Sequence, residues 1–175
     1  DASGVPNART LGSLQLMKVG EQGEPLAGAL FLLERSEAGA WSAAGTYATG
    51  DDGVLAVSDL AWGAYRISET KAAPGFEPGG NVVPIVFEVG PNSGTDVKLI
   101  WDHGIITNER TSIAIEKVDD AAAPQRLGGA HLKLTGAFAD GATEKAWTSR
   151  ADAAEALTGQ LVVGETYTLT ETERL

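Results

Sequence analysis

The sequence predicts an all-β protein built as two tandem β-sandwich domains, the second incomplete at its C-terminus. Short segments alternate apolar and polar residues with a period of two, the pattern of half-buried strands. Clusters of Gly, Asp, Asn and Pro separate them at short intervals, which favours a sandwich over a parallel α/β sheet. The whole pattern then occurs a second time.

Leu14-Gln15-Leu16-Met17-Lys18-Val19 is the first alternating run. Val54-Leu55-Ala56-Val57 and Tyr65-Arg66-Ile67-Ser68-Glu69 follow, then Val82 to Val89, Val97 to Trp101, and Ile105-Ile106-Thr107-Asn108. The second half offers Ile113 to Val118, Ala130 to Leu134, and Tyr167-Thr168-Leu169-Thr170-Glu171. Asp51-Asp52-Gly53 and Pro91-Asn92-Ser93-Gly94 read as turns. Ala151 to Leu157 alone has helical character, and it is short.

The repeat is explicit. A strand ending in Lys18 leads to Leu26-Ala27-Gly28-Ala29-Leu30-Phe31, then Trp41, then Gly63-Ala64-Tyr65-Arg66-Ile67-Ser68-Glu69-Thr70. A strand ending in Lys117 leads to Leu127-Gly128-Gly129-Ala130-His131-Leu132, then Trp147, then Gly164-Glu165-Thr166-Tyr167-Thr168-Leu169-Thr170-Glu171-Thr172. The domains expected are 1–110 and 111–175, with the junction near Glu109-Arg110-Thr111. The first copy continues past Glu69 to Asn108, whereas four residues follow Glu171, so the second domain is expected to lack its last strands.

Composition narrows the functions. The 175 residues carry 13 Lys+Arg against 24 Asp+Glu, a net charge of −11, which argues against nucleic acid or an anionic membrane surface as partner. The absence of cysteine excludes disulfides, a thiol nucleophile and Cys-based metal sites. No apolar run approaches the ~20 residues of a membrane span. His103 and His131 fall in different domains, so a metal pair is not expected, nor is any cofactor. Asp51-Asp52-Gly53 lacks the spaced carboxylates of a calcium loop. No Gly-x-Ser-x-Gly elbow supports hydrolytic catalysis. Trp41, Trp62, Trp101 and Trp147 fit a sandwich core or its rim better than a sugar-binding surface.

Three polar residues occupy positions whose parity points inward. Lys18 shares a face with Leu14 and Leu16, Glu69 with Tyr65 and Ile67, and Asn108 with Ile106. Lys117 and Glu171 repeat the arrangement, in register with Ile113 and Ile115 and with Tyr167 and Leu169. Lys and Glu are rarely buried unless paired, so a buried salt bridge is one reading. The other is covalent. Desolvation favours a neutral, nucleophilic lysine and a protonated glutamic acid. A carboxamide beside them supplies an electrophilic carbonyl, and the fold supplies proximity.

Leu16-Met17-Lys18-Val19, Gly63 to Phe76 and Ile105-Ile106-Thr107-Asn108-Glu109 together resemble the Cna B-type (SpaA-like, prealbumin-like) domains of Gram-positive surface adhesins and pilins. Gly63-Ala64-Tyr65-Arg66-Ile67-Ser68-Glu69-Thr70-Lys71-Ala72-Ala73-Pro74-Gly75-Phe76 is similar to that family's glutamate box, with one residue fewer between Pro and Gly. The resemblance implies Ig-like or transthyretin-like sandwiches, with Lys18 and Asn108 joined by an isopeptide bond and Glu69 as the catalytic acid. Lys117 and Glu171 match the lysine and glutamate positions of the second domain, whose acceptor is missing from the chain. Asp102 is a second candidate acceptor in the first.

The function implied is a structural stalk or shaft segment of a cell-surface adhesin or pilus. It is not an enzyme beyond a single autocatalytic turnover. Its expected partners are neighbouring domains or pilus subunits, with a host protein or glycan as a possible ligand. The location implied is the bacterial surface, cell wall or pilus, with signal and anchor outside this sequence. Two alternatives are a ligand-binding adhesin module and a split domain completed in trans by an acceptor strand. An enzyme accessory domain of transthyretin-like fold finds no catalytic constellation to support it.

Overall fold

The computed structural model describes residues 11–78, 83–90, 96–99 and 107–173. The chain is all-β, with no helix among the described residues. The expected turn at Pro91-Asn92-Ser93-Gly94, together with Ile100, Trp101, Asp102, His103, Ile105 and Ile106, lies outside the described residues. Contacts divide the chain into two compact units. The first comprises Asp1–Lys71 and Pro78–Thr107; the second comprises Ala72–Glu77 and Asn108–Leu175.

The first unit holds β1 (Leu11–Met17), β2 (Val19–Gly20), β3 (Leu30–Glu37), β4 (Ala40–Ala48), β5 (Val54–Ala61), β6 (Gly63–Lys71), β7 (Ile85–Val89) and β8 (Asp96–Leu99). One antiparallel sheet runs β4-β3-β6-β7. The other runs β5-β1-β8, with β1 antiparallel to β5 and parallel to β8. The short β2 pairs with β9 (Thr107–Asn108), the strand in which this unit ends.

Period-two alternation turns one face of each sheet into core. Leu14, Leu16, Leu55 and Val57 come from one sheet, and Phe31, Leu33, Tyr65, Ile67 and Val89 from the other; all are buried. Each large apolar side chain so buried contributes about 1.5–3 kcal/mol. Tyr65 Oη donates to Ala61 O at 2.6 Å, tying β6 of one sheet to β5 of the other. On the outer face, Glu34 accepts two hydrogen bonds from Arg66, at 2.5 and 2.8 Å, and that guanidinium lies 4.9 Å from the Trp41 ring centre. Asp51-Asp52-Gly53 is a turn: Gly53 N donates to Gly50 O at 2.9 Å, and Val54 N to Asp52 Oδ1 at 2.9 Å.

The second unit holds β10 (Ser112–Ile115), β11 (His131–Thr135), β12 (Glu144–Thr148), β13 (Glu155–Thr158) and β14 (Thr168–Glu173). Its sheets are β12-β11-β14 and β10-β13. Leu134, Phe138, Leu157 and Leu161 form its core, with Ile115, Trp147 and Tyr167 packed against them. Ala151 to Leu157 is not helical. Glu155–Thr158 pairs with β10, which satisfies its backbone and buries Leu157. A segment so short gains too little from helix propagation to compete with that.

The sequence repeat is also a topological repeat. β11 lies between β12 and β14 as β3 lies between β4 and β6, and β10 pairs antiparallel with β13 as β1 does with β5. A finer likeness joins them. Ala29 N donates to Thr49 Oγ1 at 3.1 Å and Ala130 N to Ser149 Oγ at 3.0 Å, with Thr49 and Ser149 both buried.

Candidate functional site

Lys18 occupies the single position between β1 and β2. Its N–H donates to Gly53 O at 2.8 Å and its carbonyl accepts from Leu26 N at 3.1 Å, so the backbone is clamped on both sides. Parity continues from Leu14 and Leu16 and carries the side chain inward, where it is 1% exposed. Its Nζ donates to Val19 O at 3.0 Å. Burial lowers the amine's pKa from the ordinary 10.5, and the charge of nearby Glu69 opposes that shift in part. The net direction favours the neutral amine, the form that can attack a carbonyl.

Glu69 follows Tyr65 and Ile67 on the buried side of β6, opposite Phe31 of β3, and is 5% exposed. Asn108 closes β9 and is 0% exposed. Burying an amine, a carboxyl and a carboxamide has a large desolvation cost unless they satisfy one another. The structure brings Lys18 and Glu69 into electrostatic reach of one another within the first unit. Asp102, the second candidate acceptor, lies outside the described residues.

Lys117 and Glu171 also come together, with Nζ 3.0 Å from Oε2, but their side chains remain 33% and 24% exposed. Of their same-face neighbours, Ile113 and Leu169 are 40% and 47% exposed, while Ile115 and Tyr167 pack on the second core. Parity alone predicts an inward face here. The difference has a physical cause: among the described residues β10 and β14 each pair with one strand, whereas β1 and β6 each pair with two. Among the described residues no strand lies beside β10 or β14 as β8 lies beside β1 and β7 beside β6.

The His131 side chain is 53% exposed, with Nε2 3.8 Å from Glu173 Oε2. Among the described residues no three His, Asp or Glu cluster as metal ligands. Nor is any helix there long and apolar enough to cross a membrane. Trp41 stacks under Arg66, Trp62 is exposed and Trp147 packs on the second core.

The sequence reading passed over Thr49, Ser149 and Thr111, all buried hydroxyls. Thr49 and Ser149 were findable as the hydroxyl of each repeat that follows a strand and precedes a turn. Thr111 had no such signal, because its partners come from two distant segments, at Gly75 and at Gly159–Leu161.

The model of the SpaA family, a prealbumin-like fold domain, matches residues 12–103. Among solved structures, the Streptococcal ancillary pilin is 21% identical with a TM-score of 0.50, over 94% of this chain and 54% of that one. The Bacillus anthracis TIE protein is 23% identical with a TM-score of 0.47, over 93% of this chain and 28% of that one. The shaft pilin SpaA from Lactobacillus rhamnosus GG is 17% identical with a TM-score of 0.46, over 94% and 88%. The chain thus spans less than two thirds of the length of the first two. No curated protein matches it. With more than half of its residues under the family model, the chain belongs to the SpaA prealbumin-like fold domain family.

Proposed function

We propose that this chain is a structural segment of a bacterial surface adhesin or pilus, stabilised by an amide bond between Lys18 and Asn108. The observation that carries the reading is the burial of one lysine, one glutamate and one asparagine, each at 5% exposure or less, in a chain of this family. Lys18 stands directly before β2 and Asn108 ends β9, the two strands of one small sheet.

The chemistry balances without a cofactor. Glu69, as the carboxylic acid, hydrogen-bonds the Asn108 carbonyl and polarises it. The neutral Lys18 amine attacks the carboxamide carbon. Glu69 relays the proton from Nζ to the departing nitrogen, the Nζ–Cγ bond forms, the Cγ–Nδ2 bond breaks and one ammonia leaves. Fixed geometry supplies the effective concentration, worth about 7–11 kcal/mol of barrier in well-oriented cases. The bond would close a loop across nearly the whole first unit. That restricts the unfolded ensemble as a disulfide does, with a gain that grows slowly with loop length. It also joins the strands through which tension along the chain enters.

Tryptic digestion under denaturing conditions tests this. The expected product is one branched peptide joining the Lys18 and Asn108 segments, with no cleavage after Lys18. Two separate, unmodified linear peptides would refute the bond.

A further inference from the structure

Two chain segments leave the proposed site and run side by side in the second unit. Ala72–Glu77 begins three residues after Glu69, and Glu109-Arg110-Thr111 directly follows Asn108. They pair antiparallel. Glu77 N donates to Glu109 O at 2.7 Å, Phe76 bridges Arg110, and Thr111 N donates to Gly75 O at 2.9 Å. The Arg110 guanidinium also lies 5.6 Å from the Phe76 ring centre.

Thr111 fixes the last rung. Its hydroxyl lies 3.1 Å from both Gly75 O and Leu161 O and accepts from Leu161 N at 3.3 Å. Gly159 N donates to its carbonyl at 2.7 Å. The residue is 5% exposed. Gly75 is matched to this knot: its φ is +88°, and a Cβ there would stand 2.5 Å from Gly159 O. Residues 75, 111, 159 and 161 therefore interlock, and 159–161 belong to the second sequence repeat.

From this juxtaposition we infer that Thr111 is a positioning residue for the Lys18–Asn108 cross-link, a claim that rests on the function proposed above. In extended chain a slip of one residue turns every side chain to the opposite face. The 75–111 rung lies three residues beyond Asn108. By holding it, Thr111 selects Asn108, and not the exposed Glu109, as the residue whose side chain turns inward. The interlock of residues 75, 111, 159 and 161 thereby sets the register of the segment that carries Asn108.

The test uses the full chain made by cell-free synthesis, sampled over time, quenched in acid and read by intact mass. Wild type, Thr111→Val and Thr111→Ser are compared. Val keeps the shape and loses the hydroxyl; Ser restores it. The expected result is cross-linking slowed at least about tenfold in Thr111→Val, on the scale that ångström misplacement imposes on oriented reactions, with Ser close to wild type. Amide exchange on β1 and β6 of the first unit should remain as in an uncross-linked Asn108→Ala control, which separates lost register from general unfolding. Thr111→Val cross-linking at the wild-type rate overturns the inference, even if its second unit is disordered. So does a slow Thr111→Ser. Absence of any ammonia loss in wild type instead removes the reading on which it rests.

Discussion

Lys117 Nζ lies 3.0 Å from Glu171 Oε2 with both side chains reached by solvent, while Lys18, its counterpart in the first repeat, is 1% exposed. The same two residue types at the same topological positions thus sit in opposite dielectric settings. A solvated pair is screened and contributes little; a buried one must be satisfied or react. Lys117→Ala is expected to shift stability by less than about 1 kcal/mol. Urea unfolding followed through Trp147 emission measures it, and a loss several times larger would show a pair more sheltered than the structure implies.

The paired hydroxyls of the two repeats should matter more. Thr49 Oγ1 donates to Leu26 O at 2.6 Å and accepts from Ala29 N at 3.1 Å. Thr49→Val leaves both backbone groups unsatisfied in a buried setting, at a cost of about 1–3 kcal/mol. Ser149→Ala orphans Ala130 N in the same way. Denaturant midpoints, with unchanged slopes, are the measurement.

Gly75→Ala is expected to destabilise the second unit by about 1–3 kcal/mol for the left-handed backbone alone, with the contact to Gly159 O adding to it. Calorimetry should show the change. A neutral outcome would mean that residues 72–77 do not hold the conformation described.

Lys18 gives a pH signature in a chain that cannot cross-link. Burial lowers its pKa in the folded state below the 10.5 of the unfolded chain. Between those two values the unfolded state binds more protons, so stability rises with pH across that window and levels off above 10.5. The comparison is Asn108→Ala against Lys18→Met/Asn108→Ala, which cancels the titration of the other lysines and tyrosines. A difference that is flat or falls with rising pH would contradict the burial of a titrating amine.

Much of the fold was legible because it rests on period two. β1, β5, β6, β11 and β14 all announce themselves by alternation, and the turn at Asp51-Asp52-Gly53 by its residues. β4 did not, because between Trp41 and Tyr47 the run Ser42-Ala43-Ala44-Gly45-Thr46 has no large apolar residue to alternate, and the segment takes its strand form from pairing with β3. β13 read as helix because Ala and Glu carry helix propensity that tertiary pairing overrode. At the site, parity indicated the burial of Lys18, Glu69 and Asn108 from single strands. The Lys117 and Glu171 face, which also carries Ile115 and Tyr167 against the second core, is less deeply buried than its counterpart, because burial depends on what lies beside a strand as well as on its own alternation. Thr111 was invisible for a related reason: its role comes from segments near 75 and 160, brought to it only by folding.

Intact mass under denaturing conditions tests the central claim most directly. The account predicts a wild-type chain lighter than its sequence by one ammonia, with Lys18→Ala, Glu69→Ala and Asn108→Ala each at full mass. A wild-type chain at full sequence mass would contradict it.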